Sequence, residues 1–268
     1  MQHGPYIQDR ALPNIIRDAC RMQGINLQAF SNDWVLRLEK NGQIRWIVGY
    51  KFDINLSASG QLAQDKVATY TALNAANIPA IEHYLVRSVP HDPTQWHLDL
   101  PKLDGQAVVL KPLDGTGGRA VERFESLAGA LQVAQHSGEP AWAISPHYNL
   151  QAEYRLVMLD GKLLLSLEKT QPVAHGKLKM FNLGHGAVAA DIVDESLVLR
   201  LQTMATQVMQ TLSLRFAAVD IVCVNTNDLR VLEVNDGITL EHYARQSAEY
   251  KKRATKVYET AVAALFAE

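Results

Sequence analysis

The sequence predicts an α+β protein in which a short N-terminal α/β lobe precedes two larger α/β subdomains. Two observations carry that class. Pairs of strand-like runs are joined by turn residues at Lys40-Asn41-Gly42, Asp160-Gly161 and Asn225-Thr226-Asn227-Asp228, so neighbouring strands form hairpins. Between them lie stretches whose apolar residues recur at helical spacing. With 268 residues, 47% of them hydrophobic, the chain can bury a sizeable core shared among two or three lobes.

Residues 10–24 form the first predicted helix, with Leu12, Ile15, Ile16, Ala19 and Met22 on one stripe and Gly24 closing it. Strands over 33–39 and 43–48 follow, and this first stretch is the small lobe. A polar connector over 55–64 leads to Asp65-Lys66 and a helix ending near Asn77. Residues 82–89 read as a strand, 90–101 as a loop, and 107–111 as an apolar strand running into a glycine-rich loop. A helix over 126–136 and a strand over 141–145 come next. The hairpin 153–159/162–168 turns on Asp160-Gly161, and the polar, glycine-bearing stretch 169–190 reads as a mobile loop. A helix opening at Asp194 carries Leu197, Leu201, Met204, Val208 and Leu212 on one stripe. The last hairpin spans residues 219–235, and an amphipathic helix through Ala254, Val257, Tyr258, Ala261 and Leu265 ends the sequence.

Composition excludes several classes of function. A net charge of −2 suggests neither a nucleic-acid nor an anionic-membrane surface. The apolar runs fall short of a membrane span, and the N-terminus lacks a signal-like apolar region. Cys20 and Cys223 lie far apart without a motif and fit reduced, packed thiols, so a cytoplasmic protein is expected.

Chemistry concentrates in the last hairpin. Glu233 and Asn235, two residues apart, share a strand face, and pairing about the tip turns Asp220 to the same side. Two carboxylates and an amide there suit a hard cation such as Mg²⁺. A solvated strand face is the plainer reading. Val219, Ile221, Val231 and Val234 weigh against it, because acids inside buried strands usually have a partner or a metal.

A second signal is Lys111 at the end of a strand, followed by Gly115, Thr116, Gly117 and Gly118. Glycines let backbone N–H groups converge on an anion, and the lysine adds positive charge. The order is not that of a Walker loop, since the lysine precedes the glycines. Taken alone, such a loop is more often a tight turn. Lys66 and Lys111 with this loop suit polyphosphate, and Glu153 on an earlier strand suits a ribose hydroxyl pair.

In this order these pieces resemble the ATP-grasp superfamily, nearest to the ribosomal-protein glutamate ligases, cyanophycin synthetase and the ligase half of bifunctional glutathione synthetases. The carriers are Asp65-Lys66, Val109-Leu110-Lys111-Pro112 with its loop, Glu153-Tyr154-Arg155, Phe181-Asn182-Leu183-Gly184-His185-Gly186, Val219-Asp220-Ile221 and Leu232-Glu233-Val234-Asn235. The resemblance implies an ATP-grasp fold, with two α/β subdomains (63–145 and 146–268) gripping ATP beside a lobe over 1–62. It implies that Lys66 and Lys111 touch phosphates, that Ser145, Pro146 and Tyr148 lie in the adenine hinge, and that Glu153 holds the ribose. It further implies that Leu232 packs on adenine and that Asp220, Glu233 and Asn235 bind two Mg²⁺ ions, for which Mn²⁺ can substitute. Arg155, Lys169 and Asn182 are implied near the acceptor and the transferred phosphate.

The implied activity is an ADP-forming carboxylate–amine ligase acting through an acyl phosphate. Its substrates would be a small carboxylate and an amine, among them an amino acid, a peptide or a carrier protein, and a homodimer is one assembly open to it. A phosphotransferase on a small alcohol and a non-catalytic ATP-binding module are the other readings. The hinge departs from the family pattern at Ser145-Pro146-His147-Tyr148, and Asp236-Gly237 stands where relatives carry Pro-Gly. Asp236 is either an extra metal or amine contact or a turn acid, the turn being favoured. Of the nine histidines, His185 and His242 are kept as substrate contacts against a favoured packing role.

Overall fold

The structure is a computed structural model that describes residues 9–87, 100–115 and 117–267. Thr116, the end of the strand expected over 82–89, and residues 90–99 of the expected loop lie outside the described residues.

The N-terminal lobe begins with α1 (Leu12–Gln23), whose buried stripe of Leu12, Ile15, Ile16 and Ala19 matches the predicted periodicity. Strands β1 (Asn26–Phe30), β2 (Val35–Lys40), β3 (Gln43–Val48) and β4 (Lys51–Phe52) pair in sequence order as an antiparallel sheet. The turn between β2 and β3 is left-handed at Asn41 (φ 50°) and Gly42 (φ 78°), as an Asn-Gly hairpin requires. The expected connector over 55–64 is instead largely helical, forming α2 (Ser57–Gln64). Its buried residues are Ser59, Gly60 and Ala63, too small to write an apolar stripe into the sequence. Helix α3 (Lys66–Ala75) starts on Asp65, whose carboxylate accepts hydrogen bonds from the N–H groups of Val67 and Ala68.

A four-stranded antiparallel sheet follows, built from β5 (Tyr84–Arg87), β6 (Val108–Pro112), β7 (Glu122–Phe124) and β8 (Ala141–Pro146) in the order β5-β8-β6-β7, with α4 (Leu127–His136) between β7 and β8. Val86, Val108, Leu110, Trp142 and Ile144 form one core with Leu127, Ala130, Leu131 and Ala134 of α4. Strand alternation then turns Leu85, Lys111, Ala143 and Ser145 to the opposite face.

The second sheet contains β9 (Ala152–Leu159) and β10 (Lys162–Thr170), followed by the small hairpin β11 (Val173–His175) and β12 (Leu178–Met180). It continues with β13 (Val188–Ala190), α5 (Glu195–Thr211), β14 (Phe216–Asn225), β15 (Asp228–Asn235), α6 (Glu241–Ala244) and α7 (Ala248–Ala264). The strand order is β13-β10-β9-β14-β15. The stretch read as a loop over 169–190 therefore holds a hairpin, a short 3-10 turn at Leu183–His185 and an edge strand. Strands this short leave little alternation to read.

The faces of this sheet differ. Leu156, Met158, Val219, Ile221, Val231 and Val234 share a core with α5 and with Leu73 of α3. On the other face Val157, Leu159, Leu167, Phe216 and Ala218 join α1, α7 and the N-terminal strands in a larger core. That union is locked by Glu241. Its buried carboxylate accepts from Ala11 N (2.8 Å) and Leu12 N (3.1 Å), capping α1, which has no side-chain cap of its own. The smaller sheet joins this body through Ile81 N to Val231 O (2.8 Å), Val231 N to Pro79 O (2.9 Å) and Gln151 N to Cys223 O (2.8 Å).

Candidate active site

Alternate residues along β14 trace the site. Phe216 and Ala218 belong to the core, Asp220 is charged and wholly buried, and Val222 and Val224 join a small apolar cluster with Ile81. Across the sheet, Asp220 lies opposite Arg155 on β9 and Glu233 on β15, and Glu153 lies opposite Lys169 on β10. These side chains share one face, as the hairpin reading expected. A β-bulge between Asp220 and Ile221 shifts the register, leaving Leu232 as the extra residue on β15. Adjacent residues Leu232 and Glu233 both reach the cleft as a result, while Val231 and Val234 enter the core behind.

The charged groups on this face are already engaged. Arg155 donates to Asp220 from Nε to Oδ1 (2.8 Å) and from Nη2 to Oδ2 (2.6 Å). Lys169 Nζ pairs with Glu153 and reaches Asp220 Oδ2 at 3.1 Å. Burial alone would raise the Asp220 pKa, but Arg155 and Lys169 together hold it below the ordinary carboxylate value. Glu233 is half-buried and accepts from Asn235 Nδ2 at 3.3 Å. Among the described residues no three His, Cys, Asp or Glu side chains cluster as a metal set. The donors available are Glu233, the Asn235 amide oxygen once that amide turns, and the flank of Asp220, an all-oxygen set that fits Mg²⁺ in type.

The opposing face is cationic. Lys66, at the first turn of α3, donates to the carbonyls of Leu113 (3.2 Å) and Gly115 (2.8 Å) in the glycine loop. Lys111 is buried, and among the described residues no carboxylate lies within 4 Å of either ammonium. Burial and the nearby Lys66 push the Lys111 pKa down to about 8, with Glu233 and Glu153 opposing. The loop turns through left-handed Gly117 (φ 69°) and Gly118 (φ 77°). A Cβ on Gly118 would collide with Met180 Cε and stand 3.5 Å from Asn182 Nδ2, so glycine lets the loop meet the β12 region. His185 Nε2 lies 3.0 Å from Gly117 O, and Lys177 pairs with Glu125 at 3.0 Å. Asn182 accepts from Gly184 N at 2.8 Å and so shapes its own turn.

Leu232, Tyr148 and Leu150 pack on Ile81, Val222 and Val224, an apolar slot beside the charges. Tyr148 donates to Glu82 (2.8 Å) and accepts from Arg230 (2.9 Å), and Ser145 is buried on β8 ahead of Pro146. Asp236, whose role the sequence left open, pairs with Lys51 at 3.1 Å and accepts from Gln64 at 3.3 Å. His242 is part-buried against Gly184.

Sequence reasoning passed over His83. It is buried just before β5, on the side that alternation assigns to Leu85 and Lys111. Its only local signal was a histidine entering an apolar strand.

An oxygen-bearing hairpin facing a lysine-and-glycine cradle, each carried on its own antiparallel sheet, defines an ATP-grasp protein. The chain belongs to an ATP-grasp domain family, the third family of its clade, whose model matches residues 102–265. A stretch of 118 residues is 30% identical to the cyanophycin synthetase of Synechocystis, covering 41% of this chain and 12% of that protein. The chain thus matches a small fraction of that relative's length. The D-alanine–D-alanine ligase of Bacillus anthracis shares the fold with a TM-score of 0.59 at 18% identity, over 79% of this chain and 71% of the other. A bifunctional glutathione synthetase from Pasteurella multocida shares it with a TM-score of 0.54 at 15% identity, over 87% of this chain and 40% of the other.

Proposed function

We propose that the chain is an ATP- and Mg²⁺-dependent carboxylate–amine ligase that releases ADP. The observation that carries this reading is the pair of ammonium groups, Lys66 and Lys111, set without close carboxylates across from Glu233. A cradle with that surplus of charge favours a polyphosphate anion. In this reading the phosphates lie on Lys66, Lys111 and the Gly115–Thr116–Gly117–Gly118 loop, and the base lies over Leu232 beside Ser145, Pro146 and Tyr148. Glu153 takes the ribose after exchanging Lys169. Glu233 and Asn235, with Asp220 beside them, would hold Mg²⁺, two ions in the family pattern. The metal would supply charge neutralisation on the phosphates.

Arg155 and Lys169 set the charge beside the metal site, and Asn182 orients the turn facing the transferred phosphate. A substrate carboxylate oxygen attacks the γ-phosphorus, and the bond to ADP breaks. The amine nitrogen then attacks the acyl carbon, the C–O bond to phosphate breaks, and the nitrogen loses a proton to leave an amide. Positioning and charge stabilisation suffice for such a transfer, with no protein nucleophile.

Proteins similar to this chain are named for joining D-alanine or for making glutathione and cyanophycin. An amino acid or peptide is accordingly the proposed substrate class. A panel of amino acids and small acids scored by ADP release tests the reading, with hydroxylamine present to trap the acyl phosphate. A hydroxamate is expected. ADP formed only with alcohols, and no hydroxamate, would replace the ligase by a phosphotransferase.

A further inference from the structure

His83 has a buried ring with one nitrogen left over. It is 3% exposed, and its ring is hydrogen-bonded to the Ile81 main chain. Nε2 has no hydrogen-bond partner among the described residues. Burial first, then Lys111 and Lys66, keep the imidazole neutral, its pKa well below the ordinary histidine value. With its N–H given to the Ile81 carbonyl, the ring presents a lone pair at Nε2. A buried acceptor left unpaired costs about 1–3 kcal/mol, so such an atom calls for a partner that the polypeptide does not supply.

The position narrows what that partner is. His83 lines one cavity with Ile81 and Leu232 of the apolar slot and with Lys66 and Glu233 of the charged end. It therefore stands where a bound nucleotide passes from base to phosphate. Phosphate oxygens are acceptors and would face the lone pair unfavourably. The donor that an adenine nucleotide carries at its base edge is the 6-amino group. Guanine has a carbonyl oxygen at the same place.

We propose that His83 is a base-selecting residue, its Nε2 accepting a hydrogen bond from the 6-amino group of adenine. The assignment rests on the nucleotide reading above and adds the choice of base to it. Polar selection of this kind discriminates strongly, because the wrong base leaves buried groups unpaired. The cavity itself measures about 10 Å³, the room of a single water. A base therefore enters as the two halves part, and a permanently held water is the rival partner for Nε2.

The test compares dissociation constants measured by calorimetry with Mg²⁺ present. The ligands are ATP, the triphosphate of purine riboside, which lacks the 6-amino group, and GTP. The proteins are the unmodified chain, His83→Phe and His83→Leu, the smaller variant serving if the ring is not accommodated, and His83→Gln, which restores an acceptor. The unmodified protein should bind ATP about 3- to 10-fold more tightly than the desamino analogue, with GTP weaker still. The apolar variants should lose the preference between ATP and the analogue, and the glutamine variant should regain part of it. A preference that survives unchanged in the apolar variants, or is absent from the unmodified protein, overturns the assignment and leaves water as the partner. Failure of all three nucleotides to bind the unmodified protein would instead remove the nucleotide reading itself.

Discussion

Arg155 holds Asp220 by two nearly parallel hydrogen bonds of 2.8 and 2.6 Å, and Asp220 is wholly enclosed. A paired buried carboxylate is tolerated, whereas one that has lost a main partner is costly. Arg155→Met should therefore lower unfolding stability by about 3 kcal/mol or more, even though Lys169 remains at 3.1 Å. Urea unfolding followed by circular dichroism measures this, and a loss under 1 kcal/mol, roughly a surface pair's worth, would contradict it.

Lys111 presents the opposite case. Its ammonium is buried without a close carboxylate, so its charge serves a ligand and costs the folded protein. Lys111→Met is expected to abolish ADP release while leaving Tm equal or higher. Glu233→Ala should also stop turnover with the fold intact. Normal ADP release by either purified variant would refute the site assignment.

The same lysine sets a pH dependence. Its folded-state pKa of about 8 lies below the ordinary 10.5. Between those values the unfolded chain holds a proton that the folded one has released, so this group adds stability as pH rises from 8 towards 10.5. Nucleotide binding runs the other way. Anionic phosphates favour the protonated amine, so affinity should weaken as pH rises through about 8, with proton uptake on binding there. Calorimetry in buffers of different ionisation enthalpy reads that uptake directly. Uptake that survives in Lys111→Met would assign it elsewhere.

Asp236 separates two roles by experiment. Its contacts are Lys51 and Gln64, and a Cβ at Gly60 would come within 2.7 Å of its Oδ2. Asp236→Asn should cost at most about 1 kcal/mol, the worth of an exposed ion pair, and leave turnover intact. Lost turnover in a folded variant would return Asp236 to the metal or amine.

The hairpin β11–β12 bears on closure through Lys177–Glu125 and the contact of Met180 with Gly118. Trypsin cleavage at Lys177 and Lys179 should slow when ATP and Mg²⁺ are added. Unchanged cleavage would argue against a lid.

What could be read from the sequence was what repeats locally. The stripes of α1, α5 and α7 and the turns at Asn41-Gly42 and Asp160-Gly161 were legible because period and turn chemistry are properties of neighbouring residues. The shared face of Asp220 and Glu233 followed from alternation, although the bulge that brings Leu232 alongside did not. Helix α2 escaped because small residues bury without a pattern. The capping of α1 by Glu241 and the burial of His83 were beyond reach, since each depends on contacts across the fold.

The union of α1 with Glu241 divides the molecule mechanically. Gln23 also donates to Glu259 O and Arg45 to Leu265 O, so residues near both ends of the chain ride on the body that carries the acidic hairpin. The sheet carrying Lys111 hangs from that body by two straps, one at Pro79–Ile81 and one at Gln151. Dyes on exposed Val133 of the hanging sheet and on Lys252 of α7 would span the joint. Their energy transfer would show the grip tighten, whatever the substrate proves to be.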